Sequence, residues 1–230
     1  MEKIKIFYRL SDHGYNKVKP DYIDNKNCLE NFLSVFGKDD ITIIADNVNE
    51  ETYQWLEDTN LKVERTNFGS GAQSFNHIFK KVLDFNRNYV VYLVENDYLH
   101  LKGSRKVLLE GIDMGANYIS LYDHPDKYID ANKGGNPYVE GGGEVTKVFR
   151  SDSCHWKLTN STTMTFASTV NVLKEDKDII KKHTSGTYPE DFKMFLELRD
   201  NGRSLITPLP GYSTHGETQW LSPFTDWSKV

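Results

Sequence analysis

Glu95-Asn96-Asp97 closes the run Tyr89-Val90-Val91-Tyr92-Leu93-Val94, and these residues carry the plainest chemical signal in the chain. The run is β-branched and aromatic and long enough for one buried strand. In an extended chain residues two apart point to the same side, so Glu95 and Asp97 can present their carboxylates together at the strand's carboxyl end. Open α/β sheets bind their ligands at that edge. Paired carboxylates repel unless positive charge lies between them, and the natural occupant is a hard, oxygen-seeking cation, Mg²⁺ or Mn²⁺, which a phosphorylated substrate would share. The competing reading is an acidic turn that merely ends a strand. A second acid pair, Glu190-Asp191, follows Pro189 at the head of an amphipathic segment. Acids there complement a helix dipole, the reading the residues by themselves favour.

The elements that must position these acids read as α/β. A first strand is expected over Lys3–Leu10, leading into the polar turn Ser11-Asp12-His13-Gly14. Cys28, Leu29, Phe32, Leu33 and Phe36 keep helical spacing up to Gly37. A second strand, Ile41–Ala45, runs into Asp46-Asn47, and a helix from Asn49 to Leu56 completes a β-α-β unit. A short strand at Lys62–Glu64 precedes Thr66-Asn67-Phe68-Gly69-Ser70-Gly71-Ala72-Gln73-Ser74 and a helix carrying Phe75, Ile78, Phe79, Val82 and Leu83. The start of that helix, with its unpaired N–H groups, suits a pyrophosphate, although the spacing matches neither the dinucleotide fingerprint nor the P-loop.

After the acid triplet a helix is expected from Ser104 to Met114 and a strand at Tyr118–Leu121. From Tyr122 the composition turns glycine-dense, with Lys133-Gly134-Gly135-Asn136 and Gly141-Gly142-Gly143, and reads as a long loop beside the site that serves as a lid. Strands over Val145–Arg150, Cys154–Thr159 and Thr162–Ala167 have linkers too short for crossover helices and are expected to be antiparallel. A charged helix over Lys174–Lys182, the Glu190-Asp191 helix ended by Gly202, and a strand at Leu205–Thr207 follow. The tail reads as irregular through His215, pinned by Trp220 and Trp227.

Composition narrows the function classes. A chain of 230 residues fits one α/β domain, and a net charge of −5 gives no general electrostatic reason to bind nucleic acid or anionic lipid. No apolar run approaches a membrane span and the start lacks a signal-peptide core, so a cytoplasmic location is expected. Cys28 and Cys154 lack ligand spacing and read as free thiols.

Taken in order, these parts resemble a small glycosyltransferase of the GT-A fold, closest to the family 2-like inverting enzymes. The parts are a strand ending in polar residues, a strand ending in Asp46, a glycine-rich turn into an Asn- and His-bearing helix, the Glu95-Asn96-Asp97 strand end, an antiparallel segment, the Glu190-Asp191 helix start and a late His215. The resemblance spans nearly the whole chain and rests on order, with no single motif of high specificity. It implies a Rossmann-like single domain, a mixed central sheet flanked by helices with a small antiparallel segment, with residues 1–121 as the nucleotide-sugar-binding half and 122–230 as the acceptor-side half. It also implies roles: Arg9, Ser11, Asp12, Asp46, Gly71, Gln73, Asn76, Glu95 and Asn96 on the nucleotide-sugar; Asp97, Glu95 and His215 on Mn²⁺ or Mg²⁺; and Asp191, with Glu190 beside it, as the catalytic base. Glu95 departs from the usual acid-x-acid motif, whose first position is aspartate, which makes Asp97 the better ligand and leaves Glu95 free to hold the ribose.

The function implied is metal-dependent transfer of a hexose from a nucleoside-diphosphate sugar, most commonly UDP-linked, to a glycan or other hydroxyl acceptor with inversion. Two alternatives stay open: a sugar nucleotidyltransferase, and a module that binds a nucleotide-sugar or glycan without turnover. No strongly basic, glycine-rich segment near the amino terminus supports the nucleotidyltransferase.

Overall fold

Strict alternation of apolar side chains builds the sheet. In the computed structural model, which describes residues 4–14 and 17–230, strand β1 (Ile4–Leu10) turns Ile4, Ile6, Tyr8 and Leu10 into one buried cluster and Phe7 into another. Lys3, expected to start this strand, lies outside the described residues. Strand β2 (Ile41–Asp46) splits Ile43 and Ala45 from Ile44 in the same way, and β4 (Val90–Glu95) splits Val90, Tyr92 and Val94 from Val91 and Leu93. A strand that is apolar on both sides must be covered on both sides. Helices α1 (Asn25–Phe36) and α2 (Glu50–Asp58) contribute Leu29, Phe32 and Leu56 to the first cluster, while α3 (Gly71–Leu83) contributes Phe75, Ile78, Phe79 and Val82 to the second.

With β3 (Lys62–Thr66), the first half forms a parallel array in the order β3-β2-β1-β4. The chain moves outward from β1 to β3 and then returns to lay β4 against the other side of β1. That reversal opens a crevice at the carboxyl ends of β1 and β4, where open α/β sheets take their ligands.

The rest of the chain completes a mixed nine-stranded sheet, β3-β2-β1-β4-β9-β6-β10-β8-β7. After β5 (Tyr98–His100) and α4 (Ser104–Asp113) come β6 (Tyr118–Ile119), β7 (Val148–Arg150), β8 (His155–Leu158) and β9 (Phe166–Thr169). They are followed by α5 (Val170–Glu175), α6 (Lys177–His183), α7 (Asp191–Asp200), β10 (Leu205–Leu209) and β11 (Ser213–His215). Strand β9 is antiparallel to both β4 and β6, β7 and β8 form an antiparallel pair, and β10 runs parallel to β6.

Three expectations change. The helix over Lys174–Lys182 is two short helices broken at Asp176, whose carboxylate accepts from Tyr118 Oη at 2.7 Å and from Arg203 Nε at 2.8 Å. The tail is not wholly irregular, because β11 pairs antiparallel with β5 in a small second sheet. The glycine-dense stretch is built around two buried lysines. Lys157 Nζ lies 2.9 Å from Asp123 Oδ1, and Lys127 Nζ donates to Asn160 Oδ1 at 2.7 Å and Ser161 Oγ at 2.6 Å. Asn136, from the first glycine run, is buried in the same network.

Candidate active site

The crevice between β1 and β4 opens into a cleft of about 740 Å³. Arg9 and Glu95 face one another across the parallel pair, in register, and form an ion pair. Just beyond β4 the chain turns at Asn96, whose side-chain amide donates to Ser11 O at 3.2 Å and to Asn25 Oδ1, tying this turn to the end of β1. Asp97 lies on the far side of the turn and is buried. The expected pairing of Glu95 with Asp97 is therefore absent in one respect: both line the cleft, but Glu95 is held by Arg9 and Asp97 by other groups.

Those groups come from distant parts of the sequence. β11 sets His215 opposite Tyr98, and its Nε2 lies 3.3 Å from Asp97 Oδ2. Gly216 N–H donates to Asp97 O at 2.7 Å, an approach close enough that a Cβ at Gly216 would meet Ile23 Cγ2 at 2.4 Å and Asp97 O at 2.9 Å. From the loop after β1, Lys19 Nζ lies 3.2 Å and Lys17 Nζ 3.7 Å from Asp97 Oδ2, and Lys17 Nζ is 2.9 Å from His215 Nε2. Burial works to raise the Asp97 carboxyl pKa, but His215, Lys17 and Lys19 outweigh it and hold the group well below the usual carboxylate range.

On the nucleotide side of the expectation, Asp46 lines the cleft and accepts at Oδ1 from Phe68 N at 2.7 Å and Thr66 Oγ1 at 2.9 Å. Asp12 also lines it but is consumed by structure, accepting from Asn25 Nδ2, Asn49 N and Thr52 Oγ1 at 2.8–3.0 Å. Gly71 lines the cleft beside Arg9 and Pro189. Gln73 and Asn76 do not. Gln73 is exposed on α3, and Asn76 donates to Thr184 O at 2.7 Å and accepts from Thr184 Oγ1 at 2.9 Å, joining α3 to the end of α6. The start of α3 is likewise engaged by protein: Gln73 N–H donates to Ser70 Oγ and Ala72 N–H to Thr187 O, each at 3.4 Å, so an anion there would compete with bonds already made.

The second acid pair divides cleanly. Asp191, the first residue of α7, lines the cleft and accepts from Phe192 N at 2.7 Å. Desolvation lifts its carboxyl pKa to about 6, opposed by the Phe192 N–H and aided by the Glu95 charge. Glu190 points elsewhere, ion-paired with Lys193 and 3.6 Å from His183 Nδ1, and it does not line the cleft. Nothing in residues 122–147 lines the cleft, contrary to the expected lid, although Tyr138 reaches the Phe192 ring at 6.3 Å between centroids.

Sequence reasoning missed Lys17, Lys19, Thr163, Met164 and Tyr188, all of which line the cleft. A Lys-Val-Lys triplet in a polar loop looks like ordinary solvated surface, so no local signal marks it. Among the described residues no cluster of three or more His, Cys, Asp or Glu is arranged to hold a metal ion, and no helix is long and apolar enough to cross a membrane.

No protein-family model and no curated protein sequence matches this chain. Solved structures do. The chain is similar to GalNAc-T7, crystallised with UDP, GalNAc and Mn²⁺, with a TM-score of 0.61 at 10% identity over 96% of this chain and 45% of that one. It is similar to TarS of S. aureus with a TM-score of 0.54 at 14% identity, over 92% of this chain and 36% of that one. A CMP:2-keto-3-deoxy-manno-octonic acid synthetase complexed with CTP gives 0.51 at 16% identity, over 90% and 89% of the two chains. This chain thus spans less than half of the GalNAc-T7 and TarS chains. At these identities the fold is what they share: a GT-A-like α/β architecture with a mixed, largely parallel central sheet.

Proposed function

We propose that this chain transfers a sugar from a nucleoside-diphosphate sugar to a hydroxyl acceptor. The observation that carries the reading is Asp191: a carboxylate whose pKa is raised to about 6, in the same cleft as Asp46, Glu95 and Asp97 at the switch point of the sheet. A base of that strength is ionised at neutral pH and still accepts a proton. In the reaction Asp191 takes the proton of the acceptor hydroxyl as its oxygen bonds to the anomeric carbon. The bond from that carbon to the diphosphate oxygen breaks, and the nucleoside diphosphate leaves with the electron pair. One displacement inverts the anomeric carbon. Asp46 serves the base or ribose, Arg9 and Glu95 flank the sugar and ribose, and Tyr188 and Pro189 border the acceptor side. Residues 1–121 then form most of the nucleotide half and 122–230 the acceptor half, with His215 as the exception that returns to Asp97. UDP is the donor that the family resemblance favours.

The fold family implies a divalent ion at the acid-x-acid motif. The donor set argues against it: Glu95 is committed to Arg9, and Asp97 to lysines and His215.

The test is a panel of labelled nucleotide-sugars, read for release of nucleoside diphosphate and for transfer to hydroxyl acceptors. Turnover with at least one donor supports the reading, and absence of release across the panel rejects it. A second reading, sugar nucleotidyl transfer, is favoured by Lys17 and Lys19, basic residues of the first loop that face the cleft. It predicts pyrophosphate release from a nucleoside triphosphate and a free sugar.

A further inference from the structure

The cleft holds a compact cationic group that the nucleotide-sugar reading does not by itself require. Asp97 Oδ2 is met by Lys19 Nζ at 3.2 Å, His215 Nε2 at 3.3 Å and Lys17 Nζ at 3.7 Å, so one carboxylate charge stands against two ammoniums. A metal ion at Asp97 would need the lone pair of His215 Nε2. An unprotonated Nε2 accepts from Lys17 at 2.9 Å, and a protonated Nε2 donates to Asp97, so no free lone pair is left there in either state. Among the described residues a third ligand is also missing, since Glu95 is bound by Arg9. Bringing a divalent ion to Asp97 would crowd it against two unit positive charges within 4 Å of the same oxygen, and like charges repel at that range.

The cleft as a whole contains more carboxylates than lysines and arginines, and their distribution decides what it can bind. Asp12 is saturated by three donors, Asp46 Oδ1 by two, and Glu95 by Arg9. Around Asp97 two ammoniums face one carboxylate directly, while Glu217 Oε2 lies 4.0 Å from His215 Nδ1 and the Asp191 carboxyl is close enough to feel Lys17 and His215. Two lysine ammoniums present hydrogen-bond donors suited to phosphate oxygens, and Asp97 keeps both side chains in the cleft before ligand arrives.

We propose that Lys17, Lys19 and His215 form a diphosphate cradle that takes the role of the divalent cation, so that this chain binds a nucleoside diphosphate without metal. The inference rests on the nucleotide-sugar reading above and adds what neutralises the leaving group. As the bond from sugar carbon to oxygen breaks, charge grows on the terminal phosphate, and the ammoniums stabilise it without a proton changing hands.

Isothermal titration of the whole chain with UDP, GDP, CDP and ADP, in excess EDTA and again in manganese, tests it. At least one diphosphate is expected to bind with the same Kd, within about twofold, in both solutions. Lys17→Met with Lys19→Met should weaken that diphosphate by roughly tenfold or more, the loss of one or more charge-assisted hydrogen bonds. The parent nucleoside should be weakened by less than about threefold. Lys19→Arg, alone, should retain most of the affinity, and thermal melting of each variant verifies that it is folded. Binding that appears only with manganese, or a double variant with unchanged affinity, overturns the cradle while leaving the nucleotide reading intact. Failure of all four diphosphates to bind in either solution rejects both.

Discussion

Two regions of this molecule set lysines against carboxylates, and they use the same chemistry for opposite ends. In the segment after β6, Lys157 and Asp123 have side chains only 3% and 1% exposed, and Lys157 Nζ also meets Tyr128 Oη at 3.1 Å. Tyr128 in turn donates to Asp123 Oδ2 at 2.6 Å, while burial pushes the nearby Lys127 ammonium pKa down against the pull of Asp126. Lys157, Asp123 and Lys127 are enclosed by protein, so this network holds a glycine-dense segment in one shape. At the cleft, Lys17 and Lys19 are 25% and 33% exposed, at 3.7 and 3.2 Å from Asp97. Those contacts are longer, wetter and open to exchange. An ion pair stabilises a fold when its partners are enclosed and removal of one strands the other; it can serve a ligand when solvent still reaches it.

The comparison can be broken most sharply at Lys157. Lys157→Met leaves Asp123 buried without its cation and should cost about 3–5 kcal/mol of stability by urea unfolding, whereas Lys19→Met should cost less than about 1 kcal/mol. Equal losses would erase the distinction between the two regions. Asp191→Asn comes next. It keeps an oxygen for the Phe192 N–H but loses basicity, so transfer should fall at least about a hundredfold, close to 3 kcal/mol in the barrier, with donor binding unchanged. Near-full transfer by this variant would return Asp191 to a helix-start role. Gly216→Ala is smaller: its methyl meets Ile23 and the Asp97 carbonyl, and the tail must shift by enough to cost about 1–3 kcal/mol. Because that shift pulls His215 from Asp97, donor affinity should drop alongside the melting temperature. If melting falls and affinity holds, His215 belongs to the fold and not to the cradle.

The smallest effect is one of pH. Desolvation raises the Asp191 carboxyl from its ordinary value near 3.8 to about 6, so the folded protein holds this proton more tightly than the unfolded chain. The associated stability is present below about pH 4 and is lost as pH rises through about 6. Asp191→Asn should therefore melt higher than the parent at neutral pH, with the gap closing toward pH 4. In the same window kcat/KM of the parent should climb with pH as the base ionises. A gap that stays constant with pH would show that Asp191 is not desolvated.

Much of the cleft was legible because sheet geometry is local. The two-residue alternation in Ile4–Leu10, Ile41–Asp46 and Val90–Glu95 defines strands buried on both faces, and parallel connections put Asp46, Glu95 and Asp97 at one edge. Helical spacing likewise announced α1, α3 and α7, and Pro189 announced the helix start that carries Asp191. Asn76 and Glu190 were expected in the site from the family resemblance, and each turns to a structural partner instead.

What the sequence determined by itself is thus the strand set, the covered faces and the edge at which acids gather, since period and polarity depend only on neighbours along the chain. Which groups meet those acids was decided by tertiary structure. The Arg9–Glu95 pair depends on the register of β1 with β4, and the His215–Asp97 contact depends on two three-residue strands, β5 and β11. Lys17 and Lys19 lie in a loop with no period to read. Short strands and loops have too little local preference to choose a partner, so the partner is set by the packing of everything else: here the close approach of Gly216 to the Asp97 carbonyl and the buried Trp227, which packs with Ile23, Cys28 and Leu99.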